Sequence, residues 1–155
     1  MRVAIASDHG GWALKGRLLE VMAGLPGIEV IDLGTDGPES VDYPDYALPV
    51  ADGVASGRFD RGILICGTGV GMAIAANKVR GVRAALCSDP LTARLSREHN
   101  DANVLALGGR IIGPEMAAEI VRVWLTTPFA GDRHSRRLAK IAAWEAAAAG
   151  GEDRQ

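Results

Sequence analysis

The chain has 155 residues, 48% hydrophobic and 23% charged, with a formal net charge of −2. That length builds one buried core rather than two, and the balance excludes wholesale disorder. The charge argues against a non-specific grip on nucleic acid or an anionic membrane, and two cysteines are too few for a disulfide framework.

The chain opens MRVAIASDHGG, which lacks the long apolar core of a signal peptide. The longest uncharged stretch, 62–77, is studded with glycine and too short to span a bilayer. A cytoplasmic protein with reduced thiols is expected.

Five short apolar runs read as strands, at residues 3–6, 30–33, 63–66, 83–87 and 104–107. They are nearly continuous and rich in Val, Ile and Leu, as when both faces of a strand are covered. After the first run come Asp8, His9, Gly10 and Gly11, then Leu14, Leu18, Val21, Met22 and Leu25 at helical spacing. Tyr43 and Tyr46 follow the second run and either line a pocket or start a helix. The third run ends in Cys66 and passes into the turn Gly67-Thr68-Gly69-Val70-Gly71, which opens a helix. Ser88 and Asp89-Pro90 follow the fourth run, Asp89 as N-cap and Pro90 as first helical residue. His99 extends the face of Leu91 and Leu95. Gly108-Gly109-Arg110 follow the fifth run, and Pro114-Glu115 start a helix carrying Met116, Ile120, Val121, Val123 and Trp124. Beyond Pro128 a basic turn, 131–137, leads into an Ala-rich helix with Leu138, Ile141 and Ala142 as its stripe and Trp144 nearby. No strand follows that helix, so it is expected to cover a subunit interface, and residues 150–155 are expected to be a disordered tail.

Strands alternating with helices predict an α/β protein of three layers: a five-stranded, doubly wound parallel sheet with an extra C-terminal helix. Ligands of such sheets bind beyond the carboxyl ends of the strands. Asp8-His9, Gly67 to Gly69, Ser88-Asp89 and Gly108 to Arg110 all fall there.

Cys66 beside a glycine-rich turn is the strongest local signal. Unpaired amide N–H groups there suit an anion or a developing oxyanion, and the same positive end favours a thiolate. The competing reading is an inert buried thiol in a tight turn. The glycines do not make G-x-G-x-x-G, they follow the third strand, and no Gly-Lys-Ser/Thr is present, so neither a dinucleotide site nor a P-loop is expected. His99 is either a hydrogen-bonded core residue or a general acid–base at a helix end near the ligand side of the sheet. His9, His99 and His134 lack metal-ligand spacing, so no metal is expected. Arg133 and Arg137 share a helix face and, with His134 and Arg110, either clamp a phosphate or form a solvated basic face.

Together these motifs resemble the ribose-5-phosphate isomerase B family. The matching residues are Ser7 to Gly11, Asp42-Tyr43-Pro44, Gly62 to Gly71, Ala75 to Lys78, Ser96 to Asp101, Asn103 to Leu105 and Arg133-His134, spread over residues 1 to about 145. The resemblance implies a Rossmann-like sheet, no metal or other cofactor, and a phosphosugar substrate converted between aldose and ketose through an enediolate. Ribose 5-phosphate and ribulose 5-phosphate are the expected pair. Alternatives are allose, galactose or tetrose phosphates, or a non-catalytic sugar-phosphate-binding module. It implies that Cys66 is the base, although some members use a carboxylate from elsewhere, and that His99 opens the sugar ring. It also implies that Asp8, His9, Gly67, Gly69, Val70, Gly71, Asn100, Arg110, Arg133 and Arg137 hold substrate. Tyr43 and His134 join them as candidate binding residues. Thr68 joins the catalytic pair as a donor to the growing charge. Residues 1–149 would form a single isomerase domain, assembled as a homodimer or homotetramer with sites between subunits and the last helix packed on the neighbour.

Overall fold

The computed structural model describes residues 1–149. The tail expected at 150–155 lies outside the described residues.

The five predicted strands are present as β1 (Arg2–Ser7), β2 (Glu29–Asp32), β3 (Arg61–Cys66), β4 (Ala84–Leu86) and β5 (Val104–Gly108). All pairings are parallel, in the order β2-β1-β3-β5-β4. The helices are α1 (Trp12–Ala23), α2 (Pro44–Ala55), α3 (Val70–Ala76), α4 (Pro90–Asn100), α5 (Pro114–Thr126) and α6 (Arg133–Ala149).

The strand runs are continuous in hydrophobicity because alternate side chains enter two different cores. Val3, Ile5, Ile63, Ile65, Leu105 and Leu107 face one core with Leu14, Leu18 and Met22 of α1, Ala93 of α4, and Ile120, Val121 and Trp124 of α5. Ala4, Ala6, Leu64, Cys66, Val104 and Ala106 face the other with Val50 and Val54 of α2 and Met72, Ala75 and Ala76 of α3. Each fully buried Leu or Ile contributes about 1.5–3 kcal/mol by leaving water, so the sheet is held from both sides.

Several strand ends shift by a residue or two from the sequence reading, and β4 and the basic segment differ most. β4 is shorter than residues 83–87 because Arg83 N–H is taken by the Asn103 side chain at 2.7 Å. The Asn77 amide pairs with Ala84 N–H (2.8 Å) and C=O (3.0 Å), which occupies the edge of β4 as a neighbouring strand would. Tyr43 starts α2, with Pro44 as its first residue. The basic segment expected as a turn is instead the first helical turn of α6 from Arg133 onward. The expected cap is formed: Asp89 accepts the Thr92 N–H at 2.7 Å and its hydroxyl at 2.7 Å. Those bonds hold the Asp89 carboxyl below the usual carboxylate range.

Among the described residues no helix is long and apolar enough to cross a membrane. His134 is the one buried residue of α6; Ile141 and Trp144 are 51% and 72% exposed.

Candidate active site

β1 connects outward to β2, while β3 pairs on the other side of β1. The helices that follow β1 and β3, α1 and α3, therefore pack on opposite faces of the sheet, the arrangement in which ligands bind at the carboxyl edge. Three turns meet there through their backbones. Asp8 N–H donates to Ile65 C=O at 3.1 Å, Gly109 N–H to Cys66 C=O at 2.8 Å, and Arg110 N–H to Gly67 C=O at 2.9 Å. This approach requires glycine: a Cβ at Gly109 would stand 2.6 Å from the Gly10 carbonyl oxygen.

The Cys66 side chain is buried at the end of β3, and Gly69 N–H donates to its Sγ at 3.1 Å. Gly69 takes φ +79°, the left-handed turn that aims its amide back at the sulfur. Thr68 is exposed, and its Oγ1 accepts the Val70 N–H at 3.3 Å. Two of the five amides expected to serve an oxyanion are thus committed inside the turn. Asp8 is nearly buried and spends Oδ1 on the amides of Gly10 (2.8 Å) and Gly11 (3.2 Å), which shapes its own turn. The Arg110 guanidinium lies along Gly67, and the Tyr43 ring lies over Gly71. His9 accepts the Val41 N–H on Nδ1 at 3.2 Å. Asp8, His9, Tyr43, Cys66, Gly67, Thr68, Gly69, Val70, Gly71 and Arg110 are therefore gathered at one edge.

His99, Asn100, Arg133, His134 and Arg137 are not. α4 begins just beyond the end of β4 and runs back antiparallel to it. Its 11 residues span about 16 Å, so its last turn reaches the amino edge of the sheet. The carbonyls of Asn100 and Asp101 meet the side chain of Arg83, just ahead of β4. The expectation that His99 stands near the ligand side is corrected: a crossover helix carries its end away from that side. Arg110 is likewise separated from Arg133, His134 and Arg137 within one chain.

The second group is built as deliberately as the first. The His99 and His134 rings stack with centroids 4.3 Å apart and 13° between planes. Arg137 Nη1 stands 3.4 Å from His134 Nδ1. Below them Arg97, nearly buried, pairs with Asp101 at 2.8 Å and donates to Ala102 C=O at 2.6 Å. Asp101 closes α4 at φ +44°. Arg97 lies in the Ser96 to Asp101 motif but takes no role from sequence, because a charged residue on an amphipathic helix looks solvated; its one signal is its place on the Ala93 and Ser96 side of the helix.

Burial, then His99, Arg133 and Arg137, lower the proton affinity of His134 below the usual histidine value. A lowered value means the stack is fully stable above about pH 6.5 and weakens as pH falls below it. A proton NMR titration should give His134 a midpoint below 6.5; a midpoint at or above it overturns this reading.

Beyond β2 an open groove of about 630 Å³ is lined by Asp32, Gly34, Thr35, Asp36, Glu39 and Tyr46, among others. Its carboxylates repel a phosphate, and none of the expected site residues lines it. Cys87, the second free thiol, is fully buried and pushed up to about 11 by that burial, which leaves it protonated and inert. Among the described residues no cluster of His, Cys, Asp and Glu could hold a metal ion.

Comparison with known proteins matches residues 3–141 to the Ribose/Galactose Isomerase family model. Ribose-5-phosphate isomerase B of Escherichia coli is 52% identical over 93% of this chain and 96% of its own length. The D-erythrulose-4-phosphate isomerase of Pectobacterium atrosepticum is 41% identical over 94% of this chain and 95% of its own. The solved Clostridium thermocellum ribose-5-phosphate isomerase B superposes with a TM-score of 0.91 at 55% identity, over 94% of this chain and 97% of that one.

Proposed function

The chain belongs to the ribose/galactose isomerase family, and on that footing we propose that it interconverts ribose 5-phosphate and ribulose 5-phosphate by proton transfer through an enediolate. The observation that carries the reading is the Cys66 sulfur facing the Gly69 amide at 3.1 Å, at the carboxyl edge where the β1 and β3 turns meet. That hydrogen bond fixes the sulfur at the mouth of the glycine-rich turn, beside the amides that would meet a developing oxyanion.

In this reading a ring-closed pentose phosphate is first opened by His99, which moves the anomeric hydroxyl proton to the ring oxygen. The Cys66 thiolate then removes the proton from C2 of the open aldose. Charge collects on the carbonyl oxygen at C1, where the Thr68 hydroxyl and the amides of Gly67, Thr68 and Gly71 remain as donors. Cys66, its proton meanwhile exchanged with solvent, protonates C1 while the C2 hydroxyl proton passes to O1, which leaves a ketone at C2. Arg110, Arg133 and Arg137 grip the phosphate, with Asp8, His9, Tyr43, Val70, Asn100 and His134 around the sugar. That remote grip holds the reacting carbons in line.

The reading requires two copies of the chain, as a homodimer or homotetramer, because residues 1–149 form one catalytic domain whose two site halves lie at opposite edges of the sheet. The second copy brings its His99, Asn100, Arg133, His134 and Arg137 to the Cys66 cradle of the first. The exposed Ile141 and Trp144 of α6 support such a contact. The two free thiols fit a reducing cytoplasm.

In heavy water, deuterium should enter the substrate at the carbon that gains the proton, and kcat/KM should be highest for ribose 5-phosphate among ribose, allose, galactose and erythrose phosphates. Preference for the tetrose would reassign the substrate. Binding with neither exchange nor turnover would make the protein a carrier.

A further inference from the structure

The loop between β2 and α2 holds a residue that lies far from it in sequence. Lys15 of α1 is 3% exposed, and its Nζ meets Asp32 Oδ1 at 2.6 Å. The same oxygen accepts Gly34 N–H at 3.0 Å. Ser7 N–H donates to Gly34 C=O at 2.8 Å, and Thr35 N–H to Ser7 C=O at 2.9 Å. The start of the loop is therefore fixed against β1. Its far end returns to the turn after β1, where Val41 N–H donates to His9 Nδ1 at 3.2 Å.

An amide N–H can meet only a lone pair. Nδ1 of His9 is therefore unprotonated, and the proton of the neutral ring sits on Nε2. The next residue, Gly10, packs against the backbone of Gly67, so the imidazole stands beside the cradle. We infer that Val41 is a positioning residue that fixes His9 as a neutral donor, with Nε2–H directed to an oxygen of the phosphosugar. His9 then binds by a directed hydrogen bond, since a proton on Nδ1 would break the contact with Val41. Only the identity of the acceptor rests on the proposed function.

The test uses the full chain with 15N-labelled histidine and long-range proton–nitrogen NMR near neutral pH, with His9→Gln identifying the His9 signals. The expected spectrum shows Nε2 protonated and Nδ1 carrying a lone pair; an Nδ1-protonated or averaging ring overturns the inference. Two variants read the substrate contact. A Gln amide nitrogen reaches the place of Nε2, while an Asn amide reaches only that of Nδ1. His9→Asn should raise KM for ribose 5-phosphate about tenfold more than His9→Gln does, at similar kcat. Equal or reversed values overturn the contact. The spectrum needs no substrate. A wrong tautomer with normal turnover therefore sinks this inference alone, and the expected tautomer without turnover sinks the proposed reaction alone.

Discussion

Replacing Cys66 with Ala is expected to lower kcat about 10³-fold, with KM for ribose 5-phosphate nearly unchanged. General base catalysis contributes roughly 10² to 10⁴-fold, and here the base is also the only group proposed to touch both reacting carbons. The phosphate grip is independent of the sulfur, so loss should fall on kcat and kcat/KM alike, which marks an interaction made in the transition state. Folding should survive. Cys66 lies at the end of β3 and shares its core with Leu64, Met72 and Ala106, so removing one sulfur atom leaves a small void and one Gly69 amide without its acceptor. Such a change costs about 1–2 kcal/mol. Thermal unfolding of the variant separates that loss from a chemical one. Cys66→Ser is the sharper control, because it keeps the shape and a hydrogen-bond acceptor but does not ionise near neutral pH. Full activity in either variant would remove Cys66 from the role of base. A loss confined to KM would make it a binding residue.

The second large effect is a recovery. Cys66→Ala and His99→Ala should each be nearly inactive alone. Unfolded together, mixed equally and refolded, they should regain about a quarter of the wild-type rate. The arithmetic follows from two-fold symmetry: half of the randomly formed dimers pair one variant with the other, and each such dimer holds one intact site and one doubly defective site. The basis is the direction of α4. It starts at Asp89 near the end of β4 and delivers His99 to the edge where Arg83 precedes β4. If both residues served a site within one chain, no mixture could repair it, and the refolded sample would remain as inactive as its parts.

The strands were legible because their chemistry is local. Runs such as Ile63 to Cys66 are apolar at every position since Ile63 and Ile65 enter one core while Leu64 and Cys66 enter the other. The same holds for the turns that follow them: parallel strands joined by helices put every strand end at one edge, so Asp8, Cys66 and Arg110 converge by topology alone. Asp89 as a cap was also readable, because a cap is decided within four residues. The short β4 was not, because the side chain that ends it, Asn103, comes from another part of the chain.

Residue type and spacing were thus sufficient to determine the five strands, the doubly wound sheet, the glycine-rich turn after Cys66 and the basic character of the start of α6. Only the folded chain decided which of those groups meet. A helix of given length has a direction in space that its own residues do not specify; packing against the sheet sets it, and here it carries His99 and its stacked partner His134 away from the sulfur. The tautomer of His9 was hidden for the same reason, since Val41, 32 residues away, supplies the hydrogen bond that selects it.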